Sequence, residues 1–271
     1  MIDTATNTIW NISSAPSMPY VTLHATVNRD ELTNVDFRWR LTIQHSSFSP
    51  HSIPASGDAV IHGNDIWHPS WGGIIAGGTM SVSVTAIDTE DGTEAWDERY
   101  GYTIKGTNPT KTQVFAIANF LEAKAVFWQE SHHVQFWPGA WTPYTGTGLP
   151  LTNSSNDWGI AQLNSPTSDT IVWNWSSNVS AGVMWLNTVH NDAQSYLNYW
   201  HNRRDIAGTP WSWDPQIEYP DRVWDDAFSR YNTGGPIYNY DGVKDCASHQ
   251  AGCAYATSVR GYIGTQPWSQ Y

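Results

Sequence analysis

Positive charge is scarce in this 271-residue chain: 13 Lys and Arg face 25 Asp and Glu, a formal net charge of −12. Residues 1–110 hold 5 positive and 12 negative side chains and the remainder 8 and 13, so neither half is basic. Nucleic-acid binding draws on phosphate neutralisation by Lys and Arg, and that partner is not expected here. Anionic membrane surfaces are disfavoured for the same reason. No apolar run approaches the roughly 20 residues of a membrane helix, so no membrane insertion is expected. The opening MIDTATNTIWNISS lacks both the basic and the apolar region of a secretory leader, which leaves an excised fragment, a trimmed leader or another export route. Cysteine is limited to Cys246 and Cys253, without the CxxC spacing of redox or zinc motifs. They form either a local disulfide, which would favour an oxidising setting, or two unrelated thiols. Walker and dinucleotide glycine loops and the G-x-S-x-G elbow are absent, and no cofactor is implied. His132 and His133 are adjacent and lack HExxH spacing, so no metal is expected.

What the chain has in excess is tryptophan: 17 Trp and 13 Tyr against 7 Phe. A core does not need indole in that proportion, because a buried N–H must find a partner. Flat rings with a polar edge suit sugar rings, and the composition leans toward a glycan ligand. At 40% hydrophobic residues the chain can build real cores, and its length fits one large or two ordinary domains.

From Tyr20 to about Lys105 the pattern has period two. Val21, Leu23, Ala25 and Val27 alternate with polar residues, as do Phe37, Trp39, Leu41 and Ile43, then Met80, Val82, Val84 and Ala86, then Tyr100, Tyr102 and Ile104. Such runs mark half-buried antiparallel strands, with Asp91-Gly92 as a hairpin turn, and predict an immunoglobulin-like sandwich over residues 1–108. The Asp88, Glu90, Asp91 cluster misses calcium-loop spacing because Gly92 arrives one position early. The Gly106–Thr110 stretch reads as a boundary. Beyond it, helical spacing predicts helices over Lys111–Glu130, Val179–Asn198 (capped by Asn178 or Ser177) and Asp221–Tyr231, so residues 109–271 form a mainly α domain. The fold class is therefore a multidomain chain, an all-β sandwich followed by an α domain.

Glu130 ends an apolar helix, after Phe127, Trp128 and Gln129. Desolvation among aromatic groups disfavours a charged carboxylate, which is what a general acid for glycosidic cleavage requires. The plainer role is a solvent-facing Glu at a frayed helix end. Three further segments follow in order: Gly159-Ile160-Ala161-Gln162-Leu163, then Asn178-Val179 with Gly182 and Leu186, then Arg230-Tyr231-Asn232-Thr233-Gly234. Together with Glu130-Ser131 they resemble the signature of soluble lytic transglycosylases and goose-type lysozymes, over residues from about Val114 to Ile263. Tyr255 to Val259 is similar to the family's tail segment.

The resemblance implies a lysozyme-like catalytic domain over residues 109–271 that cuts the β-1,4 bond between N-acetylmuramic acid and N-acetylglucosamine in peptidoglycan glycan strands. Glu130 would protonate the glycosidic oxygen and then, as a carboxylate, take the proton of the muramyl C6 hydroxyl as it closes a 1,6-anhydro ring. Ser131 and Gln162 would line the cleft and bond the sugar. Tyr231 matches a position that reaches toward the carboxylate, and Asn232 one that orients this part of the site. Against the family pattern, 27 residues separate Ser131 from Gly159. That loop carries Trp137, Trp141, Tyr144 and Trp158, candidate stacking platforms beside the cleft, and Asp157, the candidate second carboxylate of a hydrolase. The alternatives are a hydrolytic lysozyme, a chitinase-type glycosidase or a non-catalytic glycan-binding protein. The expected setting is the periplasm, the bacterial envelope or the exterior. The N-terminal module would serve a protein or glycan partner, or act as a spacer.

Overall fold

The structure of the chain, a computed structural model, describes residues 1–28, 31–45, 48–137, 147–164, 168–206, 220–238 and 244–270, the side chains of residues 204–206 and 220 excepted. The strands are β1 (Ile9–Ile12), β2 (Leu23–His24), β3 (Val35–Gln44), β4 (His51–Ile53), β5 (Ala59–His62), β6 (Ile66–Trp67), β7 (Gly78–Asp88), β8 (Glu94–Thr107), β9 (Thr147–Gly148), β10 (Asp157–Trp158) and β11 (Leu163–Asn164). Seven of them form one mixed sheet in the order β1-β8-β7-β3-β4, with β5 also on β3 and β9 also on β8. β1 runs parallel to β8, while β3 and β7 pair antiparallel over ten residues. β2 pairs with β6 alone.

The alternation explains the long strands. Phe37, Trp39, Leu41 and Ile43 of β3 are buried beside Met80, Val82, Val84 and Ala86 of β7, with Trp39 opposite Val84 and Leu41 opposite Val82. Asp36, Arg38, Arg40 and Thr42 fall on the other face, because successive strand residues point to opposite sides. The β7–β8 hairpin turns through Gly92 at φ 75°, a conformation that glycine takes without a Cβ penalty.

The expected architecture of an immunoglobulin-like sandwich followed by a separate α domain is not what forms. The described residues make a seven-stranded mixed sheet together with six helices. The contacts divide the chain into two units, neither of them contiguous: Met1–Thr110, Val134–Gly159 and Asn164–Ser177 in the first, and Lys111–His133, Ile160–Leu163 and Asn178–Tyr271 in the second. The physical reason is that the chain returns to the sheet after its first helices. β9 pairs with the end of β8 through Gly106–Gly148 and Thr107–Thr147. Asn108 fastens this return: its amide donates to Phe136 O at 2.8 Å, and its oxygen accepts from the N–H groups of Gln135 (2.9 Å) and Phe136 (2.8 Å). Phe136, Trp158, Val172 and Trp173 join the core of the sheet unit. Alternation along a strand reports one buried face; it does not say what covers that face.

Helix α1 (Lys111–Ile117) and α2 (Leu121–Ser131) take the place of the single helix predicted over 111–130, broken where Phe120 is extended. The short α3 (Asp169–Trp173) lies in the first unit. Helix α4 (Trp175–Ile206) is longer at both ends than predicted. It is capped by Asn174, whose side-chain oxygen accepts from the N–H groups of Ser176 (3.0 Å) and Ser177 (3.2 Å). Val179, Leu186, Val189, Ala193 and Leu197 bury its inner face at helical spacing. Helix α5 (Pro220–Thr233) was expected, whereas α6 (Gln250–Thr265) was not. These two meet where Gly252 abuts Ser229: a Cβ at Gly252 would come within 2.1 Å of the Ser229 hydroxyl. Cys246 and Cys253 form a disulfide with a Cα separation of 5.6 Å. Among the described residues no helix is long and apolar enough to cross a membrane.

Candidate active site

Helix α2 places Glu130 on its last turn, half-buried, above a wall of Ala125, Val126, Phe127 and Trp128. The helix stops because His132 (φ 54°) and His133 (φ 63°) both turn left-handed. Their N–H groups donate to the carbonyls of Trp128 (3.0 Å) and Phe127 (3.3 Å), so helix-end acceptors are satisfied. His133 is buried between Phe115, Trp128 and Trp268, and its Nε2–H donates to Lys124 O at 2.9 Å. Burial pushes its imidazole down to about 3, and burial also lowers His132. Both rings are therefore neutral near pH 7, and the turn after Glu130 carries no imidazolium.

The segment 160–163 lies beside this helix end, held by side chains from three distant parts of the chain. Ser131 Oγ donates to Ile160 O at 2.8 Å. Asn178 Oδ1 accepts from the Ala161 N–H at 2.8 Å. The Tyr231 hydroxyl donates to Ala161 O at 2.8 Å. Ile160 and Ala161 are fully buried, so these backbone groups need such partners. The anchors also hold Gln162 at φ 44°, a conformation that costs a non-glycine residue about 1–3 kcal/mol and persists only where neighbours impose it. Gly182 completes the packing from α4. A Cβ there would lie 2.3 Å from the Ala161 methyl and 2.9 Å from the Phe127 ring.

Tyr255 on α6 donates its phenolic hydrogen to Oε1 of Glu130. The phenol is buried, and desolvation, together with the nearby Glu130 carboxylate, raises its pKa well above the ordinary value. It is therefore a fixed hydrogen-bond donor at any pH where the protein works.

Several sequence-predicted site residues meet in this unit and others do not. Glu130, Ser131, Gln162 and Tyr231 come together, with Asn232 exposed on the last turn of α5. Ser131 is buried and its hydroxyl donates to Ile160 O, so it tethers the segment 160–163. Tyr231 was expected to reach toward the carboxylate; its hydroxyl donates to Ala161 O, and the Tyr255 phenol donates to Glu130. Asp157 belongs to the other unit, where its two oxygens accept from the amides of Asn153 and Asn164, both at 2.7 Å. Trp158 is also there, 4% exposed and packed on His45 and Phe48, with no face open to a sugar ring. Trp137 belongs to that unit too, partly exposed. Tyr144 and Trp141 lie outside the described residues.

Asn178 and Tyr255 were not named as site residues. Asn178 was taken as a helix cap, and it sits inside α4 because Asn174 caps earlier. No group of three or more His, Cys, Asp or Glu side chains fit to hold a metal is found among the described residues. Comparison of the chain with protein-family models, with curated proteins and with solved structures finds no match.

Proposed function

We propose that this protein is a peptidoglycan-cleaving muramidase, a lytic transglycosylase, with Glu130 as its general acid and base. The observation that carries the proposal is the convergence on one short segment: Ser131, Asn178 and Tyr231, from three stretches of the signature, bond successive backbone groups of residues 160–161. Segments that are weak signals one by one are physically joined around a half-buried Glu.

The chemistry assigned to the site is simple. Glu130 donates a proton to the glycosidic oxygen of the muramyl–glucosaminyl bond as that bond breaks. The resulting carboxylate accepts the proton of the muramyl C6 hydroxyl as the oxygen bonds to C1. One carboxylate serves both steps, so the scheme needs no second carboxylate and gives Asp157 no part. Tyr255 holds one oxygen of Glu130 through the cycle, and neutral His132 and His133 leave the acid without an adjacent imidazolium competing for it.

The test is mass spectrometry of muropeptides released from purified sacculi by the wild type and by Glu130→Gln. Anhydro-muramyl ends from the wild type alone support the proposal. Reducing ends turn it into a hydrolytic lysozyme. No release by the wild type, with sacculi still bound, makes it a glycan-binding protein and removes the catalytic role of Glu130.

A further inference from the structure

The outer face of the sheet carries two large rings that the core does not use. Trp96 is 66% exposed and Tyr100 63% exposed, both on β8. Glu98 lies between them on the same face, two residues from each, and its carboxylate raises the pKa of the Tyr100 phenol. On β7, Trp96 is opposite Thr85 and Glu98 is opposite Ser83. On β3 the same rows continue to Arg38, opposite Thr85, and Arg40, opposite Ser83. The face thus carries two separated rings, with the hydroxyl residues Thr85 and Ser83 and then Arg38 and Arg40 in the neighbouring rows.

We propose that this sheet face is a second glycan-binding surface, which holds an extended polysaccharide strand against the Trp96 and Tyr100 rings. Three features select that occupant. The rings stand four residues, about 13 Å, apart along one strand, so they can address two separated sugars of one linear chain, each offering a π-face to the C–H face of a pyranose ring. Around them Thr85, Glu98 and the exposed Arg38 offer donors and acceptors at the level of the sugar hydroxyls, while Arg40 is held by Gly57 O and Asp58 and the Ser83 hydroxyl donates to Arg40 O. The apolar rings are parted by a carboxylate, so the face lacks the contiguous apolar centre that a protein partner buries, and Glu98 with Glu94 repels a phosphate backbone. This inference does not depend on Glu130: it concerns capture of the strand, and it holds for an active or an inactive site.

The experiment uses the full chain as Glu130→Gln, to prevent cleavage, in depletion-binding isotherms on purified sacculi, on chitin and on cellulose. The same measurement is made with Trp96→Ala, with Tyr100→Ala and with the conservative Trp96→Phe added. Expected are tight retention of the parent on at least one polysaccharide, persistence at high salt, about tenfold weaker binding for each alanine variant and near-parental binding for Trp96→Phe. Both side chains are exposed, so unchanged thermal melting of the variants accompanies the loss. Binding of the alanine variants equal to the parent's overturns the proposal, as does a parent that binds none of the three polysaccharides. Activity of the wild type on sacculi, present or absent, is read separately and bears only on Glu130.

Discussion

Tyr255 donates its hydroxyl hydrogen to Glu130 across 125 positions of sequence, from the middle of α6 to the last turn of α2. In the proposed mechanism, a buried donor on one carboxylate oxygen leaves the other oxygen to present the proton. Tyr255→Phe removes that bond and little volume. The expected outcome is a fall in turnover on sacculi of about ten- to a hundredfold, the worth of one hydrogen bond to a charged group, with melting temperature little changed. Steady-state release of muropeptides checks it.

Gly182 allows α4 to approach the anchored segment closely. Gly182→Ala forces its methyl to within 2.3 Å of the Ala161 side chain. Overpacking of this kind costs about 1–3 kcal/mol. Ala161→Gly in the same chain should recover most of that loss, and a double-mutant cycle in urea measures the coupling.

His133 makes stability pH-dependent. Its imidazole is held neutral down to about pH 3 in the folded chain and protonates near 6.5 when unfolded. The unfolded state therefore binds the extra proton between these values. The stabilisation is complete above pH 6.5 and is lost by about 1.4 kcal/mol per unit as pH falls toward 3. Urea unfolding from pH 7 to pH 4 should show this slope, and His133→Gln should flatten it by that amount.

Asp226 is fully buried on α5. It accepts from Arg230 Nε at 2.7 Å with one oxygen and from the Ile237 N–H at 2.7 Å with the other. Burial raises its pKa and the Arg230 guanidinium opposes the rise. Asp226→Ala strands a cation and a buried N–H together, and a loss of about 3–5 kcal/mol is expected. Chemical denaturation of the variant beside Asp226→Asn, which keeps one acceptor, separates the two contributions.

The Cys246–Cys253 bond closes a short loop at the start of α6, two residues before Tyr255. Replacing both cysteines with serine should lower stability by about 2 kcal/mol on loop-entropy grounds. If the bond also sets the register of α6, turnover falls with it, and comparing reduced with oxidised wild type tests that directly.

Local patterns made β3 and β7 legible, because strict alternation has one meaning in a half-buried strand; in β8 the expected face holds for Tyr102 and Ile104, while a bulge in the register opposite Met80–Val82 leaves Tyr100 exposed. The architecture was not legible, since β9 is two residues long and its partner lies 40 positions earlier in the chain. Helix α6 was hidden by its own composition. Gly252, Gly261 and Gly264, with Thr257 and Val259, weaken its intrinsic preference, and tight packing of Gly252 on Ser229 overrides that preference. The site was legible as a set of segments and less so as a set of contacts. Ser131 was picked as a group that bonds sugar and Tyr231 as one that reaches toward the carboxylate, yet their hydroxyls donate to the carbonyls of Ile160 and Ala161. Asp157 and Trp158 were joined to Glu130 by nearness in sequence, and the chain had crossed into its other unit before reaching them.

The anchoring of residues 160–161 has a kinetic consequence. Its bonds span 17, 29 and 70 positions, and the bond from Tyr255 spans 125. Loop closure must precede each of them, so contacts of such high order form late in folding. A nascent chain ending before α6 already contains every strand of the sheet and still lacks the donor on its acid. The Glu130–Tyr255 pair is thus completed only once α6 has been made, well after the carboxylate itself.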